Sequence, residues 1–510
     1  MNAHEALAAH IAEYHDLLCI LNTLKWDMRT MMPAAGAASR GQQLATLSKL
    51  AKSIFVSDET ARLLDAAEAE SAGAHPDSYQ ARTLRQTRDA YEIQRRIPAD
   101  LVGRMAAFGA ESEAVWARAK DEDDFASFKP YLRRMLALNI ELAGAIGYEE
   151  HPFDALVGQF EPGMTATRLG VIFAELKTRV LPLLERIIAA DAPLPLNLWE
   201  AEYDLTTQEK LCREMTALIG FDYERGRLDC APHPFEISFT RDDVRITTRY
   251  DANYLPMSLF AALHEAGHGI YEQNIAPELT RTALSADLIG QYAVGGASSG
   301  AHEFSSRLWE NQIGRSREFW RLHFSRLRAR FPDQMAAANA ELFYRAVNRV
   351  RPSLIRVEAD EVTYNLHIML RTEMEMALLE GAIAVDDLPE VWNAKMQEYL
   401  GLTPPDDRRG VLQDVHWSFG GFGKFPAYTI GNIMAAQVLE AAHKQMPALA
   451  GKLAEGDYQT LLTWLRENIY RHSRAYSTDE LLTRVTGDGL NTSPLLDYLE
   501  RKYADLYKLN

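Results

Sequence analysis

The sequence predicts an all-α protein with one small β element, and three observations carry that prediction. Apolar residues recur at three- and four-residue steps through most of the chain. Pro, Gly and short polar loops interrupt these runs at helix-length intervals. One stretch, residues 235–250, instead alternates in polarity and is rich in β-branched and aromatic side chains. With 510 residues, 47% hydrophobic and 25% charged, the chain has the composition of a folded globular protein of one large or two ordinary domains.

The helical runs begin near residues 4–25, 36–55, 100–119 and 129–146. Glu5, His10, Glu13 and Asp16 lie inside the first run, which breaks both a signal-peptide apolar region and any membrane span of about 20 residues. The clearest run follows Pro162-Gly163-Met164, with Thr165 as its N-cap and Leu169, Ile172, Phe173, Leu176, Val180, Leu183, Leu184 and Ile187 on one face. Ala192-Pro193-Leu194-Pro195-Leu196 marks a candidate boundary between an N-terminal helical lobe, 1–195, and a catalytic lobe, 196–510. Phe235–Phe239 and Val244–Tyr250 then flank Arg241-Asp242-Asp243 as a hairpin or small sheet. Helices return at 256–273, 300–330, 335–350, 359–381, 428–446 and 457–472.

A formal charge of −17, from 71 acidic and 54 basic residues, argues against a broad phosphate-binding surface and so against nucleic acid as a partner. Cys19, Cys212 and Cys230 are widely separated and odd in number, which offers neither a disulfide framework nor a CxxC metal site. They read as small buried thiols in a cytoplasmic protein. Any metal must then be held by His and carboxylates.

His264-Glu265-Ala266-Gly267-His268 supplies such a set, an HExxH pattern inside the helical run that begins at Pro256. A helix advances about 100° and 1.5 Å per residue, so His264 and His268 lie one turn apart on one face, where both imidazoles can reach a Zn²⁺. Glu265 points to one side of them, placed to take a proton from an attacking water and return it to a leaving amine. That is the chemistry of peptide hydrolysis. A third protein ligand is required, and Glu272, Asp287, His302, Glu303 and Glu310 are the downstream candidates. Glu272 lies a further turn along the same helix, which suits a solvated or supporting place better than ligation, whereas Glu303 opens the next helical run and could face the metal.

These residues belong to a series of motifs through which the chain resembles the M32 metallocarboxypeptidases, the carboxypeptidase Taq family, over nearly its whole length. In order they are His233-Pro234-Phe235 (HPF), Asp243-Val244-Arg245-Ile246-Thr247 (DxRxT), His264–His268 (HExxH), His302-Glu303 (the HES-type element) and Gly410–Trp417 (GxxQDxHW). Phe160–Thr165, Arg356–Glu361 and Asn365–His367 are similar as well. The resemblance implies His264, His268 and Glu303 as ligands of one Zn²⁺ per chain, which Co²⁺ could replace, with Glu265 as general base and acid. It further implies a two-lobed helical fold with a deep central cleft, similar to neurolysin and angiotensin-converting enzyme, and a homodimer. The implied activity is release of single amino acids from free peptide C-termini, with broad specificity and poor tolerance of proline. Two departures stand out. The interval from His268 to Glu303, which contains Val294–Gly300, is longer than in typical members, and Phe304 and Lys424 stand where serine and tyrosine are expected.

A carboxypeptidase must favour a free C-terminal carboxylate, for which an arginine fork is the physical device. Arg245, Arg249, Arg351 and Arg356 are candidates. The resemblance brings HPF, DxRxT and GxxQDxHW together at the closed end of the cleft, favouring Arg245 with Asp243, Asp414 and His233 in support and keeping Arg356 as a second clamp. An Arg–Asp bridge joining hairpin to helix would use the same residues. Tyr428 and His416 are the candidate donors to the developing oxyanion, although a packed tyrosine and a core histidine fit those positions too. Two other functions remain open on these residues. An oligopeptidase would cut within peptides using the same zinc site, and an idle helical scaffold would bind peptides or a partner. Glu265 counts against the scaffold, because metal binding alone does not require that carboxylate.

Overall fold

The computed structural model describes residues 2–190 and 201–509, so the boundary expected at Ala192–Leu196 lies outside the described residues. Two compact units divide the chain. The first comprises Met1–Gln94, Pro193–Val347 and Gly431–Asn491, and the second Arg95–Ala192, Asn348–Ile430 and Thr492–Asn510. This division draws on alternating stretches of chain, whereas the sequence reading cut it once.

The expected helical class holds, with one small sheet. Helix α1 (Ala3–Thr30) is fixed at its start by a reciprocal cap: Asn2 Oδ1 accepts from the Glu5 N–H, and Glu5 accepts from the Asn2 N–H. Its buried face carries Leu7, Ile11, Tyr14, Leu18 and Leu21. Helix α2 (Ala166–Ala190) begins where expected, with Thr165 Oγ1 accepting from the Arg168 N–H at 3.2 Å. All eight residues of its predicted apolar face are buried, each contributing about 1.5–3 kcal/mol before the entropy of ordering is subtracted. Several helices lie beyond the expected runs, among them Tyr79–Arg96 and Ser493–Tyr507. Tyr79–Arg96 is crowded with Arg and Gln, and its stripe of Leu84, Ala90 and Tyr91 is too thin to stand out as a sequence pattern.

The sheet contains the predicted hairpin and one further strand. Strands β1 (Gly226–Cys230), β2 (Glu236–Thr240) and β3 (Asp243–Thr248) lie in the order β1-β3-β2, with β3 antiparallel to β2 and parallel to β1. β1 escapes a pattern search because Leu228 is its single buried apolar residue. Helix α3 (Leu255–Gln273) packs across β2 and β3 on one side and helix α4 (Ser299–Arg307) on another. It is buried on every side except a stripe at Met257, Ala261, His264 and His268, the i, i+4, i+7, i+11 positions of one face. The second unit contributes α5 (Tyr364–Glu380), and α6 (Pro426–Gln445) supplies Tyr428 to the second unit and Gly431 to the first.

All three cysteines are free. Cys212 is buried as expected, but Cys19 is only partly buried and Cys230, the last residue of β1, is exposed. No helix among the described residues is long and apolar enough to cross a membrane.

Candidate metal centre and active site

The two half-exposed histidines of α3 meet a carboxylate from α4. His268 Nε2 lies 3.3 Å and His264 Nε2 3.8 Å from Glu303 Oε2, and one donor atom from each of the three residues lies within 4.8 Å of the others. Donors about 2.0–2.1 Å from a tetrahedral ion stand roughly 3.3–3.4 Å apart, so this set fits a small divalent metal with modest closure and leaves a fourth position for a reactant.

Local packing explains why α4 delivers Glu303 here. Ser298 caps α4, its Oγ accepting from the Ala301 N–H at 2.9 Å. α4 then crosses α3 at Gly267, where a Cβ would stand 2.5 Å from Ser306 Cα and 2.7 Å from the Ser305 carbonyl oxygen. Ser305 Oγ donates to the Gly267 carbonyl at 2.6 Å and pins the crossing. Glu303 is pressed from above by Gly431, whose Cβ would come within 2.5 Å of Glu303 Cγ. Neither glycine was found from the sequence; the signal available was a glycine inside HExxH, which an isolated helix would disfavour by about 1 kcal/mol relative to Ala.

Each of the two imidazoles is oriented from behind. His264 Nδ1 donates to Glu310 Oε2 at 2.9 Å, and Arg315 donates to Glu310 Oε1 at 3.1 Å. Glu310 lies in a π-helical continuation of α4, Leu308–Ile313, an irregularity that recurs at functional sites. His268 Nδ1 lies 2.6 Å from His302 Nδ1, and His302 Nε2 lies 2.9 Å from Glu272 Oε1. Arg307 Nε donates to Glu303 Oε1 at 2.7 Å, leaving Oε2 for the metal side. Such outer partners set ring orientation and ligand basicity.

The charges follow from this arrangement. Burial raises Glu303 and Glu310, but Arg307, His264 and His268 overcome it at Glu303, which lies far below the ordinary carboxylate range, and His264, Arg315 and Arg307 overcome it at Glu310, which falls to about 2. Burial lowers His268 to about 3, whereas Glu303 and Glu310 overcome burial at His264 and raise it. Glu265 is different. Buried and lacking an arginine of its own, it is pushed up to about 7 by desolvation, with Glu303 and Glu310 adding to the rise.

The remaining third-ligand candidates have other partners. Asp287 accepts from the Ile289 and Gly290 N–H groups, and Glu310 and His302 stand behind the two histidines. Glu272 is buried rather than solvated, since it accepts from the Gly295 N–H at 2.7 Å as well as facing His302. Phe304 turns away from the ligands into the rings of Tyr271 and Tyr470, which explains how the serine position tolerates an aromatic.

A second charged cluster gathers other predicted residues within the second unit. Arg356 Nη2 donates to Asp414 Oδ1 at 2.8 Å, and Arg371 from α5 donates to Asp414 Oδ2. Gln413 Oε1 accepts from the Arg356 N–H at 3.0 Å. The Tyr428 ring lies 5.3 Å from the Arg356 guanidinium. His416 Nδ1 stands 4.0 Å from Asp414 and has no hydrogen-bond partner among the described residues. Burial, together with Arg356, Lys424 and Arg371, holds His416 well below its ordinary range, so it is neutral. Two guanidiniums and Lys424 thus oppose one carboxylate. Arg371 was missed by the sequence reading because nothing marks it within a helix. Beside this cluster Glu375 accepts from Trp417 Nε1 at 2.8 Å and the Gly423 N–H at 2.9 Å, and burial pushes it up to about 8.

Arg245 keeps different company. Its fork is closed on Asp243, with two bonds of 2.9 Å, and its guanidinium lies over the rings of Trp26 and Phe239. The sequence reading grouped Asp414 with Arg245; the structure gives Asp414 to Arg356 and Arg371, because each of its oxygens bonds one of these two buried cations. His233 is exposed on the loop between β1 and β2.

Comparison with known proteins agrees on one family. Residues 6–503 match the family described as carboxypeptidase Taq (M32) metallopeptidase. Thermostable carboxypeptidase 1 of Thermus thermophilus is 40% identical, with 94% of each chain covered. Carboxypeptidase 1 of Bacillus subtilis is 36% identical over 99% of this chain and 98% of its own. The crystal structure of an M32 carboxypeptidase from Deinococcus radiodurans R1 superposes with a TM-score of 0.94 at 39% identity, covering 99% of both chains.

Proposed function

The chain belongs to the carboxypeptidase Taq (M32) family of metallopeptidases, and from that premise we propose a zinc carboxypeptidase that releases single C-terminal residues from peptides. The observation that carries this reading is the convergence of His264, His268 and Glu303 within 4.8 Å beside the buried Glu265. Two imidazoles and one carboxylate with an open fourth position are the donor set of catalytic zinc sites. When bound, the metal polarises the scissile carbonyl and acidifies the attacking water.

The protein residues divide the remaining work. Glu265, at about 7, accepts a proton from water and later returns it to the leaving amine, since a group poised near neutrality serves in both directions. Arg356 takes the C-terminal carboxylate. Both arginines are bonded to an aspartate through Nε and Nη2, but Asp414 is shared with Arg371, and the surplus of buried positive charge there favours Arg356 over the one-to-one Arg245–Asp243 pair. Arg245, Asp243 and His233 then shape the wall beside the substrate. Tyr428 and His416 donate to the developing oxyanion, and the unpartnered His416 Nδ1 supports that assignment. Broad specificity with poor acceptance of proline, a homodimer and a cytoplasmic setting complete the reading; three free cysteines are consistent with a reducing compartment.

The test uses one unfolded peptide as free acid and as C-terminal amide, incubated with the zinc-loaded protein and with Glu265→Ala. Mass spectrometry should show a stepwise ladder from the acid alone, absent in the variant. Internal fragments from both peptide forms would make it an oligopeptidase, and cleavage of neither would leave a binding scaffold.

A further inference from the structure

We propose that His302 and Glu272 form a relay that fixes the tautomer and ring orientation of His268, and that the Val294–Gly300 segment locks the relay from its far end. The proposal rests on the metal reading of His264, His268 and Glu303.

The direction of the relay follows from which groups can donate. Glu272 Oε1 already accepts from the Gly295 N–H and faces the His302 ring as an acceptor, so the His302 nitrogen 2.9 Å from it, Nε2, must carry hydrogen. A His302 ring with a single N–H then has its lone pair at Nδ1. His268 Nδ1, 2.6 Å away, can only be the donor, which leaves the His268 lone pair at Nε2, the atom that faces Glu303. The two ring planes lie within 16° of each other, as an in-plane N–H···N bond requires. Glu272 thereby acts on His268 through the intervening His302 ring. His264 achieves the same tautomer in one step, by donating directly to Glu310.

The segment Val294–Gly300, which lies between HExxH and Glu303, holds the far end of this chain of bonds. The Gly295 N–H donates to the same Glu272 oxygen at 2.7 Å, which stops the carboxylate from rotating away. A Cβ at Gly295 would clash with Ile275 Cδ1 and stand 3.1 Å from Glu272 Oε1. Gly296 has φ +83°, and a Cβ there would lie 3.2 Å from His302 Cβ. Both positions therefore require glycine for the backbone to lie against Glu272 and His302. Below it, Thr478 Oγ1 donates to Ser298 Oγ, the α4 cap, at 2.9 Å, fastening the end of the segment.

The experiment strips the full-length protein of metal and titrates it with Zn²⁺ against a chromogenic competing chelator, with far-UV circular dichroism and a melt of each metal-free form. His302→Phe keeps a ring but neither bonding group, and should bind Zn²⁺ about 10–100-fold more weakly than wild type. His302→Gln, whose amide oxygen accepts while its amide N–H donates, should recover most of that loss, which a purely space-filling role for His302 would not produce. Gly295→Ala should weaken binding in the same direction. Zn²⁺ affinity within twofold of wild type for a folded His302→Phe, while His268→Ala loses the metal, overturns the relay and leaves the metal reading intact. A His268→Ala variant that binds as wild type does overturns the metal reading and the relay with it. Should His302→Phe fail to fold, Glu272→Gln decides: about threefold or more weaker binding supports the relay, and unchanged binding overturns it.

Discussion

In the first unit four carboxylates, Glu265, Glu272, Glu303 and Glu310, surround three imidazoles with Arg307 and Arg315 as their cations; in the second, Arg356 and Arg371 converge on Asp414 alone. The first cluster has a surplus of negative charge and turns three donors toward one point, so it suits a cation. The second has a surplus of positive charge around a carboxylate whose oxygens are already taken, so it suits an anion. Each cluster has one shared group. Glu303 serves both histidines and Arg307, and Asp414 serves two arginines, so removing either changes several interactions at once.

The comparison breaks first, and by the largest amount, at the metal. Glu303→Ala removes a proposed ligand and leaves Arg307 without its carboxylate; Zn²⁺ binding, peptide hydrolysis and the expected thermal stabilisation by added Zn²⁺ should all fall to background. Glu265→Gln should keep Zn²⁺ affinity while kcat falls about 10²–10⁴-fold, measured on a short free-acid peptide. A Glu265→Gln protein that retains kcat would remove Glu265 from the chemistry.

Asp414→Asn should cost stability rather than metal. It leaves two buried guanidiniums facing each other without a neutralising charge, for which about 3–5 kcal/mol is expected from urea unfolding, with Zn²⁺ affinity unchanged. Arg356→Met sharpens the contrast further. The kcat/KM for free-acid peptides should fall about 10–100-fold, the worth of about 1.5–3 kcal/mol for a charged hydrogen bond, and Arg245→Met should cost less. Equal losses for the two variants would return the carboxylate to Arg245.

The smallest effect is a pH slope. Glu375 is raised to about 8 in the folded protein from an unfolded value near 4.5, so between those limits the folded state holds a proton that the unfolded chain releases. Its protonation therefore favours folding fully below pH about 4.5, and that contribution declines as pH rises toward 8. Urea-unfolding stability of Glu375→Gln should decline less from pH 5 to pH 8 than that of wild type, by about 1–3 kcal/mol. Parallel slopes would show that Glu375 is ionised throughout.

Much of the candidate site was legible before the structure. HExxH on an amphipathic run located His264, Glu265 and His268, and the family resemblance singled out Glu303 from five candidates. Thr165 and the apolar face of α2 were read residue by residue, because capping and 3.6-residue periodicity are written in adjacent positions. The groups behind the ligands were not legible in their roles. Glu272 and His302 were weighed as ligands and stand behind His268, and Arg371 carried no local mark at all.

The sequence by itself determined the helical class, the β-hairpin, the pair of histidines one turn apart and the overall negative charge. These depend on backbone geometry and composition within a few residues. Only the tertiary structure decided that Gly267 lets α4 cross α3, that Glu310 rather than Glu272 stands behind His264, and that Asp414 is shared by Arg356 and Arg371. Those relations join residues tens of positions apart, and their distances are set by close packing and by the cost of leaving a buried charge unpaired, neither of which has a period along the chain.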